Sequence, residues 1–239
     1  MPYRRLPNTN QARMRSLKMA VDMGEKLEDT YDLAFSYRTL EEASSLLVRY
    51  ERAMSEYKQC SSSQVNTNKK FQNAIKMARL YISHFIQVFN MCVLRSEIKP
   101  EAKLLYGLDP ESNVVPDLIS DDNIYEWGQK IISGERTRMQ NGGTPIYNPT
   151  IAKVRVHYDI FVEYYNNQKI LQNNTSRTIG NVSLLNDSVD KVILDIWNQV
   201  ESTFEALPME DKMKRCEEYG LVYYYRRGEK KGTETVSDM

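Results

Sequence analysis

The sequence predicts an all-α protein, on three observations. Ten Gly and eight Pro in 239 residues are few breakers for a chain of this length, which points away from a turn-rich β-sandwich. Apolar residues fall at alternating steps of three and four over long stretches, the spacing of a helix that buries one stripe. Those stretches then recur at a fixed offset. Hydrophobic residues make up 41% of the chain, enough for a core in one large domain or two small ones.

The elements follow in order. A first helix begins near Asn8 or Thr9, both good N-caps, and turns Met14, Leu17, Val21 and Leu27 inward. The next stripe runs Leu40, Ala43, Leu47, Tyr50, Met54 and Tyr57, and Thr39-Leu40-Glu41-Glu42 reads as its capping box. Ser61-Ser62-Ser63-Gln64 reads as a polar break. A further stripe then takes in Phe71, Ile75, Ala78, Ile82, Phe85, Phe89 and Cys92, with Cys92 a small buried hydrophobe. Two such helices joined by a short loop make an antiparallel hairpin. A short helical run closes at Tyr106-Gly107-Leu108. Residues 97–126 carry eight acids against two lysines, with Pro100, Pro110 and Pro116, and read as a connector.

From there the pattern repeats. A helix begins near Ser120 or Asp121, buries Ile124, Trp127 and Ile131, and ends before the turn Asn141-Gly142-Gly143. At an offset of 111 residues, Leu40, Ala43, Leu47, Tyr50 and Met54 fall on Ile151, Val154, Tyr158, Phe161 and Tyr165. Phe71, Ala78, Ile82, Phe85 and Phe89 likewise fall on Val182, Val189, Ile193, Ile196 and Val200. Gly24-Glu25 matches Gly134-Glu135 near the end of a helix in each half, and Tyr106-Gly107-Leu108 matches Tyr219-Gly220-Leu221, where Gly107 and Gly220 are placed as left-handed helix caps. The predicted organisation is therefore a first repeat over 1–115, a second over 116–227 with a Tyr-rich extended segment at Leu221–Arg227, and a polar, disordered tail over 228–239. The two hairpins would form a pseudo-two-fold four-helix bundle, with the leading helices on its flanks. The alternative is two three-helix bundles joined by the acidic connector.

Chemistry is sparse by comparison. Lys+Arg and Asp+Glu number 32 each, so no net charge draws the chain to nucleic acid. Three scattered cysteines, Cys60, Cys92 and Cys216, make neither a disulfide framework nor a zinc site. The two histidines, His84 and His157, lack the Glu-x-x-His spacing of a di-iron bundle. No phosphate-binding glycine loop, nucleophile elbow or metalloprotease helix occurs, so neither a catalytic residue nor a cofactor is assigned. No stretch approaches 18 uninterrupted apolar residues and no signal peptide opens the chain, which predicts a cytoplasmic protein without a membrane span. Charge does gather locally: residues 1–26 hold six bases and two acids, and 212–231 hold seven bases and three acids. Arg4, Arg5, Tyr223, Tyr224, Tyr225, Arg226 and Arg227 are the candidate partner-contacting residues, or else they cover the ends of the bundle by pairing within the chain.

The opening Pro2-Tyr3-Arg4-Arg5-Leu6-Pro7-Asn8-Thr9 and the closing Glu218-Tyr219-Gly220-Leu221-Val222-Tyr223-Tyr224-Tyr225-Arg226-Arg227 resemble those of an uncharacterised family of Bacteroidetes all-helical proteins. The two phrases frame most of the chain. The resemblance implies a bacterial cytosolic protein and carries over no functional residue. Three functions stay open: a non-catalytic interaction or scaffold protein with an unidentified protein partner, or a homodimer through Leu221–Arg227; a small-ligand binder or enzyme with a pocket between the repeats; and a nucleic-acid binder using the basic ends.

Overall fold

The computed structural model describes residues 2–27 and 32–225. The chain runs β1 (Tyr3–Arg4), α1 (Asn10–Lys26), α2 (Tyr37–Leu94), a 3-10 helix (Pro100–Tyr106), α3 (Asp121–Gln140), α4 (Ile151–Thr203), α5 (Met209–Glu218) and β2 (Tyr223–Tyr224). It is all-α apart from one two-residue ribbon. Two compact units are drawn from it: Met1–Gln59 with Ser176–Met239, and Cys60–Thr175.

The expected hairpins do not form. α2 passes through Ser61-Ser62-Ser63-Gln64 without turning, and α4 carries the stripes of 151–165 and 182–200 in one helix. The polar run is no break, because α2 contains neither Gly nor Pro, and α4 contains only Gly180. Ser and Asn cost a helix only about half a kcal/mol each relative to Ala, too little to stop it. Thr67 and Thr175 also turn their hydroxyls back onto the carbonyls of Ser63 and Leu171 (both 3.0 Å), so no polar group there demands an exit from the helix. The stripes consequently sort into two cores rather than one four-helix bundle, and sequence halves 1–115 and 116–227 each supply helices to both units.

In the unit of Met1–Gln59 and Ser176–Met239, α1 starts at Thr9, whose side chain accepts from the Ala12 amide (3.2 Å). Leu17, Ala20 and Val21 of α1 pack with Leu40, Ala43, Leu47 and Tyr50 of α2 and with Val189, Ile193, Ile196 and Trp197 of α4. Arg13 fastens α1 to α4 through two parallel bonds to Asp190, both 2.8 Å. The start of α2 lies earlier than the predicted capping box. Ser36 caps it, accepting from the Thr39 amide (3.2 Å), while the Thr39 hydroxyl donates to Asp195 (3.0 Å) and accepts from Gln199. Buried at that point, Thr39 secures α2 to α4 instead of capping.

In the unit of Cys60–Thr175, Phe71, Ala78, Ile82, Phe85 and Phe89 of α2 pack with Ile124 and Ile131 of α3 and Val154, Tyr158 and Phe161 of α4. α3 is capped by Ser120, which accepts from the Asn123 amide (3.1 Å). The connector is held down by Arg79, donating to the Leu118 and Ile119 carbonyls (2.8 and 2.9 Å), and by buried Lys103, whose ammonium meets Ser112 O and Asn113 Oδ1 (2.9 and 2.8 Å). Cys92, expected to be buried here, is only half-buried. α2 is long and apolar enough by length and composition to cross a membrane, with an 18-residue window of mean hydropathy 1.2, although its apolar residues are interrupted by polar ones. Its Ile82, Phe85, Ile86 and Phe89 are fully buried in this core.

Candidate functional site

Beta-branched and aromatic residues after a helix-stopping glycine favour extended backbone, and Tyr223–Tyr224 is a strand. Its partner is within the chain: β1 pairs with it antiparallel, Tyr3 opposite Tyr224 and Arg4 opposite Tyr223. Side chains alternate across such a ribbon, and the two pairs do different work. Arg4 and Tyr223 converge on Glu201 of α4, the guanidinium at 3.0 Å and the phenol donating at 2.7 Å. Arg4 also donates to Asn198. Burial first, then the neighbouring Cys216 and Glu201, push the Tyr223 phenol well above its ordinary range, so it remains a donor. Burial likewise raises the Cys216 thiol, which keeps it out of thiolate chemistry near neutral pH. Tyr3 and Tyr224 lie on the other face, with ring centroids 6.2 Å apart.

Gly220 sets the path into this ribbon. The Leu221 amide bonds back to Cys216 O (3.3 Å) and the Gly220 amide to Glu217 O (3.0 Å), closing α5 with the glycine at φ 83°. The same turn presses the chain against α1, where the Ser16 hydroxyl donates to Gly220 O (3.0 Å). A cavity of about 370 Å³ opens beside that contact, between α1, the segment Arg5–Asn8, and Val222 and Tyr224. Trp197 forms part of its wall, and Leu6, Pro7, Ala12 and Met19 add apolar surface. Arg5 and Arg15 supply two positive charges, and the lining contains no carboxylate. Among the described residues, neither guanidinium has a hydrogen-bond or ion-pair partner.

The expected contact residues are thus divided. Arg4 and Tyr223 are spent within the chain, Arg5 and Tyr224 line the cavity, and Tyr225 is exposed just beyond the strand. Arg226, Arg227 and the tail 228–239 lie outside the described residues. Reading the sequence missed Arg15 and Trp197. Arg15 did carry a signal: the residues three and four away on its helix are Gln11, Ala12, Lys18 and Met19, none of them an acid that could pair with it. Trp197 carried none, because it reads as core.

Other polar groups are consumed structurally. Buried Glu135 takes a two-point contact from Arg138 (2.8 and 2.9 Å) and the Tyr106 hydroxyl, while Arg138 also donates to Tyr106 Oη and Thr144 O (2.8 and 2.7 Å). His157 stacks on Tyr81 at 4.1 Å, and His84 is exposed. Among the described residues no group of three His, Cys, Asp or Glu is placed to hold a metal ion. No family model, curated protein or solved structure matches the chain.

Proposed function

We propose that the protein is a non-catalytic binding protein, and that it holds its partner in the cavity beside Gly220. The observation that carries this is the pair of unpartnered guanidinium groups, Arg5 and Arg15, over an apolar hollow of about 370 Å³. Two other arginines of the same unit, Arg4 and Arg13, are matched to carboxylates. A cavity of this kind binds through shape and a few placed polar groups. It draws residues from both halves of the sequence, which favours the pocket reading over a flat scaffold surface and over nucleic acid. Three free cysteines support a reducing, cytoplasmic setting. Native mass spectrometry tests the proposal. Protein purified at low salt from its own cells is expected to carry a bound species that an Arg5→Glu/Arg15→Glu variant has lost. Identical spectra overturn it.

The finer architecture belongs to the same proposal: two copies of one helical unit, each long helix shared reciprocally between the two cores. Support comes from matched local devices. Thr9 and Ser120 cap α1 and α3 in the same way. Gly107 and Gly220 close the preceding helices with the same pair of backbone bonds, at φ 68° and 83°. In this arrangement the β1–β2 ribbon of one unit does the work of the connector in the other.

A further inference from the structure

Resting on that reading, we propose that the cavity binds an amphipathic organic anion: one carboxylate or phosphate head between Arg5 and Arg15, with an apolar body against Met19 and Val222. Two guanidinium forks with no carboxylate in the same lining are short of one anionic head, which each can meet with two parallel bonds. Ala12 in the first turn of α1 borders the cavity, with Asn8 just ahead of the helix, and the helix dipole favours negative charge there. The volume, about 370 Å³, lies in the range of small-molecule sites. An inorganic anion would leave the apolar wall wet, and a neutral apolar ligand would strip water from two unpaired cations. An acidic peptide brings many charges to a hollow that offers two. The Ser16 hydroxyl is already committed to Gly220 O, so discrimination falls to the arginines.

The test is isothermal titration of the full chain with 2-naphthoate, 2-naphthylmethanol, inorganic phosphate and a ten-residue oligoglutamate. We expect 2-naphthoate to bind at least ~10-fold tighter than the alcohol, and inorganic phosphate to bind weakly. The exposed pair Arg5→Gln/Arg15→Gln should erase that preference, weakening 2-naphthoate and binding the alcohol at least as well as the wild type does. Ala12→Phe, which fills the hollow, should abolish binding of both. Equal affinities for naphthoate and alcohol, or naphthoate binding indifferent to the arginines, overturn the inference. Arginine-dependent capture of oligoglutamate without naphthoate overturns it too, while leaving the cavity as the binding site. If no probe binds but the native spectra of wild type and charge-reversed protein differ, the ligand class is wrong and the binding reading stands. If the spectra are also identical, both fall.

Discussion

At Gly220 a methyl group would meet two separate obstacles. The φ of 83° strains an L-residue, and a Cβ would lie 2.7 Å from the Ser16 carbonyl oxygen. Gly142 has nearly the same φ, 84°, but a Cβ there would meet nothing within 4 Å. Gly142→Ala should therefore cost about 1 kcal/mol, the left-handed penalty alone, and Gly220→Ala roughly 3 kcal/mol. Urea unfolding of the two variants checks this, and equal losses would remove the contact with α1 as a cause. The buried Glu135–Arg138 pair gives a sharper case. Arg138→Met strands a carboxylate that is 1% exposed, and we expect a loss of about 3–5 kcal/mol, most of it recovered when Glu135→Leu is added. A double-mutant cycle reads the coupling directly. Residues with a local rule were legible in the sequence. Tyr-Gly-Leu announced its cap twice, and Thr9 and Ser120 announced theirs. The Tyr106 contact to Glu135 and the cavity beside Arg15 needed tertiary structure, since nothing along the chain places Tyr106 or Val222 nearby.

The long helices carry the main lesson at the next scale. Their stripes were legible because burial enforces a period, whereas their continuity was not, because Ser61–Gln64 is simply a stretch with little to bury. Polarity was mistaken for a stop signal, although only Gly or Pro removes enough helix stability to be one. Ser62, exposed in the middle of that run, distinguishes the two readings. In a continuous helix Ser62→Pro should cost about 3 kcal/mol and Ser62→Ala should gain about half a kcal/mol, whereas in a loop both would be nearly neutral. Thermal unfolding followed by circular dichroism decides between them. The ribbon shows the opposite failure. β2 was expected as extended chain, but its partner lies at the far end of the sequence, and a two-residue strand between Pro2 and Pro7 leaves no periodic trace.

For the molecule as a whole, the ribbon brings the two ends of the sequence to adjacent positions, Tyr3 facing Tyr224. If it stands where the connector stands in the other unit, the covalent links are interchangeable. Joining Tyr225 to Pro2 through an Asn-Gly turn, and opening the chain between exposed Val114 and its neighbour Val115, should give a permuted protein that still folds. Its melting temperature should lie within about 5 °C of the unpermuted chain truncated after Tyr225. A permutant that fails to fold, or melts far lower, would show that the connector and ribbon are not equivalent.

The wiring of the two units also sets an order of events during synthesis. The unit of Cys60–Thr175 is one unbroken stretch, able to start assembling before Tyr223 and Tyr224 are made, at about 5–20 residues per second. Its neighbour must wait, because Tyr3 and Arg4, made before that stretch, find their strand partner only in Tyr223 and Tyr224, made after it. A ribosome that stalls after Thr175 would release a polypeptide with one finished half and no cavity at all. The cavity thus arises in a single step, once Val222 and Tyr224 have been made.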